Sequence, residues 1–180
     1  NIGMIHAMID LETLSTNPDA VILTVGGVKF DPHTSMKPYN EMYFRVDVDS
    51  QTNQGRHVMD DTLNWWAKQP EDIKNEALGD KDRISLSDMI KQINKFSVGV
   101  DVFWCQGPLF DYAILQNLYT QLGHPVPWQY WQIRDSRTLF NLVPRDKNEK
   151  REGLHNALSD CIFQAKKVQK IYRQLALEKI

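Results

Sequence analysis

The sequence predicts an α/β fold, a mixed β-sheet in which an antiparallel meander is joined by parallel strands, with α-helices flanking it. Three observations lead there. Three strand-like stretches near the start are linked by short connections; helical periodicity and short buried strands alternate from Asp60 onward. The third is size: 180 residues, 42% hydrophobic and 24% charged, suffice for one core without disulfides or a structural metal.

Met4 to Ile9 reads as a buried strand and Val21 to Phe30 as a second, β-branched one, where Gly26-Gly27 signals a bulge or a close backbone approach. Asp31-Pro32-His33-Thr34 reads as a turn. Tyr39 to Val48 then alternates, with Met42, Phe44 and Val46 against Tyr43, Arg45 and Asp47, the period of a half-exposed strand. From Asp60 or Asp61, either of which can cap, Leu63, Trp66 and Ala67 share a helical face. Ser85 caps a helix to Phe96 with Leu86, Met89, Ile90, Ile93 and Phe96 on one side. Val100 to Cys105 is a short buried strand, and Pro108 opens a helix that Gly123 ends near Leu122. Gln132 to Arg134 is a last short strand. Asn156 to about Glu178 is a long helix with Leu158, Cys161, Ile162, Ala165, Val168, Tyr172 and Leu175 aligned.

No apolar run reaches membrane-spanning length and no signal-peptide pattern opens the chain, so a cytoplasmic protein with no membrane partner is expected. Cys105 and Cys161 lie far apart in apolar settings and read as packing residues. The net charge of −2 argues against a nucleic-acid partner, but setting aside four carboxylates committed to a metal leaves +2.

Chemistry gathers in three places. On a strand, Asp10 and Glu12 point the same way, roughly 6.5 Å apart, at the end of an apolar run. Such a pair fits a cation site or a solvated strand end. Asp111, in "WCQGPLFDYAIL", falls within the first helical turn among Phe110, Ile114 and Leu115, where it equally complements the helix dipole. Asp160, in "GLHNALSD", adjoins the buried face of the last helix, where an unpaired carboxylate is expensive, and His155 stands just before that helix.

Taken together, Asp10-Leu11-Glu12, Asp111 and His155-Asn156-Ala157-Leu158-Ser159-Asp160 resemble, in order and spacing, the DEDDh-type 3′-to-5′ exonucleases of the RNase H-like superfamily. The stretches "DTLNWWAKQ", "GPLFDYAIL" and "YWQIRDSRTL" resemble the branch that contains phage exonuclease A and bacterial exoribonuclease-like proteins. The likeness covers about residues 4 to 175 and implies one exonuclease domain over residues 4–180. Residues 1–3 read as an expression remnant.

The resemblance implies a metal-dependent 3′-to-5′ exonuclease that releases nucleoside 5′-monophosphates from single-stranded RNA or DNA 3′ ends, RNA favoured, and allows a homodimer. Four carboxylates about 4 Å apart repel by about 4 kcal/mol per pair at an effective dielectric of 20, which two divalent ions relieve; all-oxygen ligands favour Mg²⁺ or Mn²⁺. By the same resemblance Asp10, Glu12, Asp111 and Asp160 are the metal ligands and His155 the general base. Thr13, Leu14, Trp65, Trp66 and Phe110 are the substrate-binding candidates, although both tryptophans also fit plain packing. Here Leu14-Ser15 follows Thr13 where the commoner motif continues Thr-Gly. Asp135 reads as capping its helix or pairing with Arg137, and "RDKNEKR" as a solvated loop or a phosphate-contacting flap. The rival readings are a catalytically inactive RNase H-like module that binds nucleic acid or protein, and a metal-dependent nucleotide phosphatase.

Overall fold

The computed structural model describes residues 4–151 and 153–179, so the remnant reading of residues 1–3 lies outside it. Three strands, β1 (His6–Thr13), β2 (Ile22–Phe30) and β3 (Tyr39–Val46), form the expected antiparallel meander. Next come three helices, α1 (Asp49–Asn53), α2 (Asp60–Ala67) and α3 (Glu71–Leu78), and a two-residue strand β4 (Arg83–Ile84). Then α4 (Leu86–Ser97), β5 (Val102–Cys105), α5 (Asp111–Gln121), β6 (Ile133–Asp135), α6 (Ser136–Phe140) and α7 (Ala157–Gln174) complete the chain. The sheet order is β4-β3-β2-β1-β5-β6, with β5 and β6 parallel to β1 and β4 parallel to β3.

The pleat of β1 divides the core. Ala7, Ile9 and Leu11 face one side, where Met89 and Ile93 of α4 and Ile114, Leu115 and Leu118 of α5 cover them. Met8 faces the other, with Val28, Phe30, Val102 and Trp104, under Cys161, Ala165, Val168 and Ile171 of α7. Both cysteines are fully buried, as their apolar settings suggested. A smaller cluster of Leu14, Val21, Leu23, Trp66 and Ala77 closes the sheet under α2 and α3.

The expected Ser85 cap is present, and Asn156, read only as the start of the last helix, caps it as well. Ser85 accepts the Asp88 backbone N–H at 3.1 Å, and Asn156 accepts that of Ser159 at 3.1 Å. Asp60 and Asp61 do not cap α2: Met59 holds that position without a side-chain bond, and the two acids lie in the first turn, where they complement the dipole. Helix α5 begins at Asp111 and not at Pro108, because Gly107, at φ +96°, turns the chain and Phe110 N–H closes that turn onto the Gly107 carbonyl. β1 starts two residues later than Met4, which is exposed, and runs on through Asp10 and Glu12. Helices α1, α3 and α6 are too short or too polar to announce themselves by apolar periodicity.

Gly26 is where the sequence signal of a close approach is realised. It pairs with Asp10 across β1 and β2, and a Cβ there would lie 2.5 Å from the Ala157 carbonyl carbon and 2.6 Å from the Leu158 nitrogen. The first turn of α7 thus rests on bare backbone. Gly26→Ala is expected to lift that turn, destabilising the fold by about 1–3 kcal/mol. Divalent-cation binding should weaken in step, because the same turn carries Asp160. Thermal melts and a metal titration test this; unchanged metal affinity would contradict it.

Candidate active site

Asp10 and Glu12 project from the α7 face of β1, and Asp160, one turn into α7, meets them there. One carboxylate oxygen from each of the three lies within 4.8 Å of the others. Asp111 reaches the cluster from the start of α5, its Oδ2 accepting the Leu11 backbone N–H at 3.1 Å. A cavity of about 670 Å³ opens over Asp10, Asp111 and Asp160, with Phe110, Gln106 and Arg137 on its walls.

Packing this much negative charge together perturbs every member. Burial, then Asp111, Glu12 and Asp160, push the Asp10 carboxyl well above its usual range. Burial and the neighbouring Asp160 raise Glu12 to about 9. Burial lifts Asp111 to about 8 against the opposing Leu11 N–H. Asp160 is raised less, because Arg151 donates to its Oδ1 at 2.8 Å. The pairing of Arg151 with Asp160 was not read from the sequence: within the charged "RDKNEKR" loop, one arginine carries no periodicity or motif to set it apart.

The donor set is all oxygen, largely buried and over-charged, and these properties fit hard divalent cations. Glu12 has an ordinary value of 4.5 and a folded value of about 9. Without a cation, the stability held by protonated carboxyls is complete below about 4.5 and is lost as pH rises through about 9. The metal-free protein should therefore melt lower at about pH 9 than at about pH 6. Added Mg²⁺ or Mn²⁺ should bind more tightly at the higher pH because it displaces protons, and at a hundredfold excess over Kd should restore about 2.7 kcal/mol. A metal-induced melting shift that does not grow with pH would refute this.

His155 lies at the site's edge with φ +65°, and its ring meets Trp65 edge-on at 4.6 Å between centroids. Burial lowers its pKa, and so does the Arg151 charge, while Asp160 opposes them. Trp65 and Trp66 divide as their helical offset requires. Trp65 is 40% exposed beside His155. Trp66 is 1% exposed and donates its indole N–H to the Thr13 carbonyl at 2.9 Å.

The expectation that Trp66, Thr13 and Leu14 touch substrate is therefore corrected. Trp66 is committed to the core, the Thr13 hydroxyl donates to the Ser15 carbonyl, and Leu14 is buried beside Val21 and Leu23. Trp65 and Phe110 stay accessible. Asp135 is a cap: its Oδ1 accepts the backbone N–H groups of Arg137 and Gly107, so it ties β6 to the turn before Asp111 without engaging the Arg137 guanidinium.

The family model described as the 3′–5′ exoribonuclease Rv2179c-like domain matches residues 5–172. None of the curated proteins compared with the chain matches it. Among solved structures, exonuclease I from Methylocaldum szegediense aligns over 97% of the chain with TM-score 0.68 and 13% identity. Escherichia coli exonuclease I in complex with a dA16 oligonucleotide aligns over 96% with TM-score 0.70 and 11% identity. Its zinc-bound complex with single-stranded DNA aligns over 97% with TM-score 0.67 and 10% identity. The chain spans 41–42% of those proteins, and at these identities the likeness establishes the shared RNase H-like fold.

Proposed function

This chain belongs to the Rv2179c-like family of 3′–5′ exoribonuclease domains, and from that premise we propose that it removes nucleoside 5′-monophosphates stepwise from the 3′ ends of single-stranded nucleic acid, RNA in preference to DNA. The observation that carries the reading is the convergence of Asp10, Glu12 and Asp160 within 4.8 Å, with Asp111 on the same cavity wall. A solvated strand end does not bury such a group of charges. The preference for RNA rests on the family's description, and the choice of single strands is supported by the oligonucleotide-bound exonuclease I structures that share the fold.

Asp10, Glu12 and Asp160, with Asp111 lining the same cavity, would hold two divalent ions, Mg²⁺ or Mn²⁺. When bound, such ions supply an activated water and neutralise charge on the departing 3′ oxygen. His155 supplies the base. Its depressed pKa leaves the imidazole neutral near pH 7, and it lies close enough to Asp160 and Arg151 to feel both charges. Trp65 and Phe110 offer the aromatic surfaces for terminal bases. The cytoplasm is the setting this reading takes, since both cysteines are free and buried; among the described residues no helix is long and apolar enough to cross a membrane.

The test is a 5′-labelled single-stranded RNA and its DNA counterpart incubated with Mn²⁺, with and without chelator. A ladder shortening from the 3′ end, faster on RNA and abolished by chelator, is expected. A strand of unchanged length would favour a binding module, and loss of terminal phosphate alone a phosphatase.

A further inference from the structure

A second cavity, of about 970 Å³, runs from the acidic pocket along α6 and α7 and shares Gln106, Arg137 and Arg151 with it. Its charge is opposite. Arg137, Arg145, Lys147, Arg151, Lys167 and Lys170 line it against only Asp146 and Glu149, an excess of +4 in a chain whose net charge is −2. Both acids are already engaged. Lys170 binds Asp146 at 3.1 Å and Lys167 binds Glu149 at 3.3 Å, so these pairs hold the 145–151 loop down on α7. Arg151 is held by Asp160 at the junction of the two cavities. Arg137, Arg145 and Lys147 remain, exposed and without a carboxylate partner among the described residues.

The groove also has aromatic walls. Lys167 sits over the Phe140 ring at 4.6 Å and Arg151 over Phe163 at 4.8 Å. Cations tracking a backbone and aromatic faces beneath them are the two components that grip a single strand without reading its sequence.

We propose that this groove is the track for the strand upstream of the scissile bond: it carries the phosphodiester backbone of the second and following nucleotides away from the acidic pocket. The assignment rests on the exonuclease reading for its polarity, since the 3′ end lies among the carboxylates and the 5′ side runs along α7. The partner is a single-stranded polynucleotide, and its charge, not its bases, is what the groove recognises. The loop read from sequence as solvated is, on this account, the phosphate-contacting flap.

The experiment uses the paired substitutions Arg145→Glu and Lys147→Glu, which break no ion pair of the described residues. Binding of a fluorescein-labelled twelve-nucleotide uridine strand is followed by anisotropy across salt concentrations with chelator present, so that no strand is cut. Each lost phosphate contact reduces the slope of log K against log salt by about 0.7 for single strands, so the double variant should lose about 1.4 in slope and at least about tenfold in affinity at low salt. Hydrolysis in Mn²⁺ supplies the second readout: KM for the twelve-nucleotide strand should rise, while turnover of a uridine dinucleotide, too short to enter the groove, should match the parent protein.

Unchanged slope and affinity, or no salt-dependent binding by the parent protein, overturns the proposal. Equal loss on the dinucleotide also overturns it, because the substitutions would then be acting through the acidic pocket. If neither protein shortens RNA but binding still depends on Arg145 and Lys147, the exonuclease reading and the polarity fall and the strand-binding groove stands. If both shorten RNA and binding is indifferent to these residues, only the track falls.

Discussion

Asp10→Asn is expected to abolish turnover and at the same time to raise the melting temperature of the metal-free protein. Burial is the largest cause of the raised Asp10 carboxyl, and the other three carboxylates all press on it as well. The amide keeps the shape but removes one acid from a crowded group whose nearby counter-charges are Arg151, paired with Asp160, and Arg137, which acts on Asp111. Divalent-ion binding should weaken sharply. The ion's stabilisation of transition-state charge is worth several kcal/mol, so the rate should fall roughly 10³-fold at 1.36 kcal/mol per decade. In the absence of metal the sign of the stability change reverses. Relief of buried repulsion should be worth about 1–3 kcal/mol at about pH 8, or roughly 2–4 °C per kcal/mol for a chain of this size. At about pH 5 the gain should shrink, because holding a buried carboxyl protonated costs less as pH falls toward its ordinary value of 3.8. Calorimetry at the two pH values with chelator present, alongside an activity assay, reads both effects. A variant that is both inactive and less stable at the higher pH would show that Asp10 is a structural acid.

His155→Asn separates the proposed base from the fold. The position lies in the left-handed region at φ +65°, which asparagine, like histidine, adopts more readily than most residues. The substitution therefore leaves the backbone unstrained. It removes the edge-on contact with Trp65, worth about 0.5–1.5 kcal/mol, so melting should drop by only a few degrees. Metal binding should persist, since the three converging oxygens belong to other residues. Turnover should fall roughly 10²–10⁴-fold, the usual contribution of a positioned base. In the parent enzyme the rate should climb with pH and level off below the ordinary histidine value of 6.5, because burial and Arg151 lower the pKa. Full activity in His155→Asn would assign proton removal to another group.

The five polar residues at the centre of both predictions were legible because their chemistry leaves a pattern. Asp10 and Glu12 carry the two-residue period of a strand, Asp111 follows a turn with glycine and proline, and His155 and Asp160 bracket a capped helix start. The candidate substrate-facing residues were less legible. Trp65 and Trp66 are neighbours of one residue type on one helix, and only the position of α2 over the Leu14 cluster sends one inward and leaves the other beside His155. Thr13 and Leu14 adjoin Glu12 in the chain yet turn into the core after the register shift at the end of β1. Adjacency in sequence is a poor guide where a strand ends, since one residue of slip exchanges the faces.

Local order and chemistry were thus written along the chain: the meander, the helix capped by Ser85, the bare backbone at Gly26 and the acids themselves follow from periodicity, capping and side-chain type. Which groups meet was not. That Arg151 neutralises Asp160, that Asp135 caps and does not join the acids, and that a basic groove lies against an acidic pocket all depend on how α6, α7 and the loop between them fold back over the sheet. The physical reason is range: periodicity and capping act over a few residues, whereas charge pairing across space responds only to the distances that packing sets.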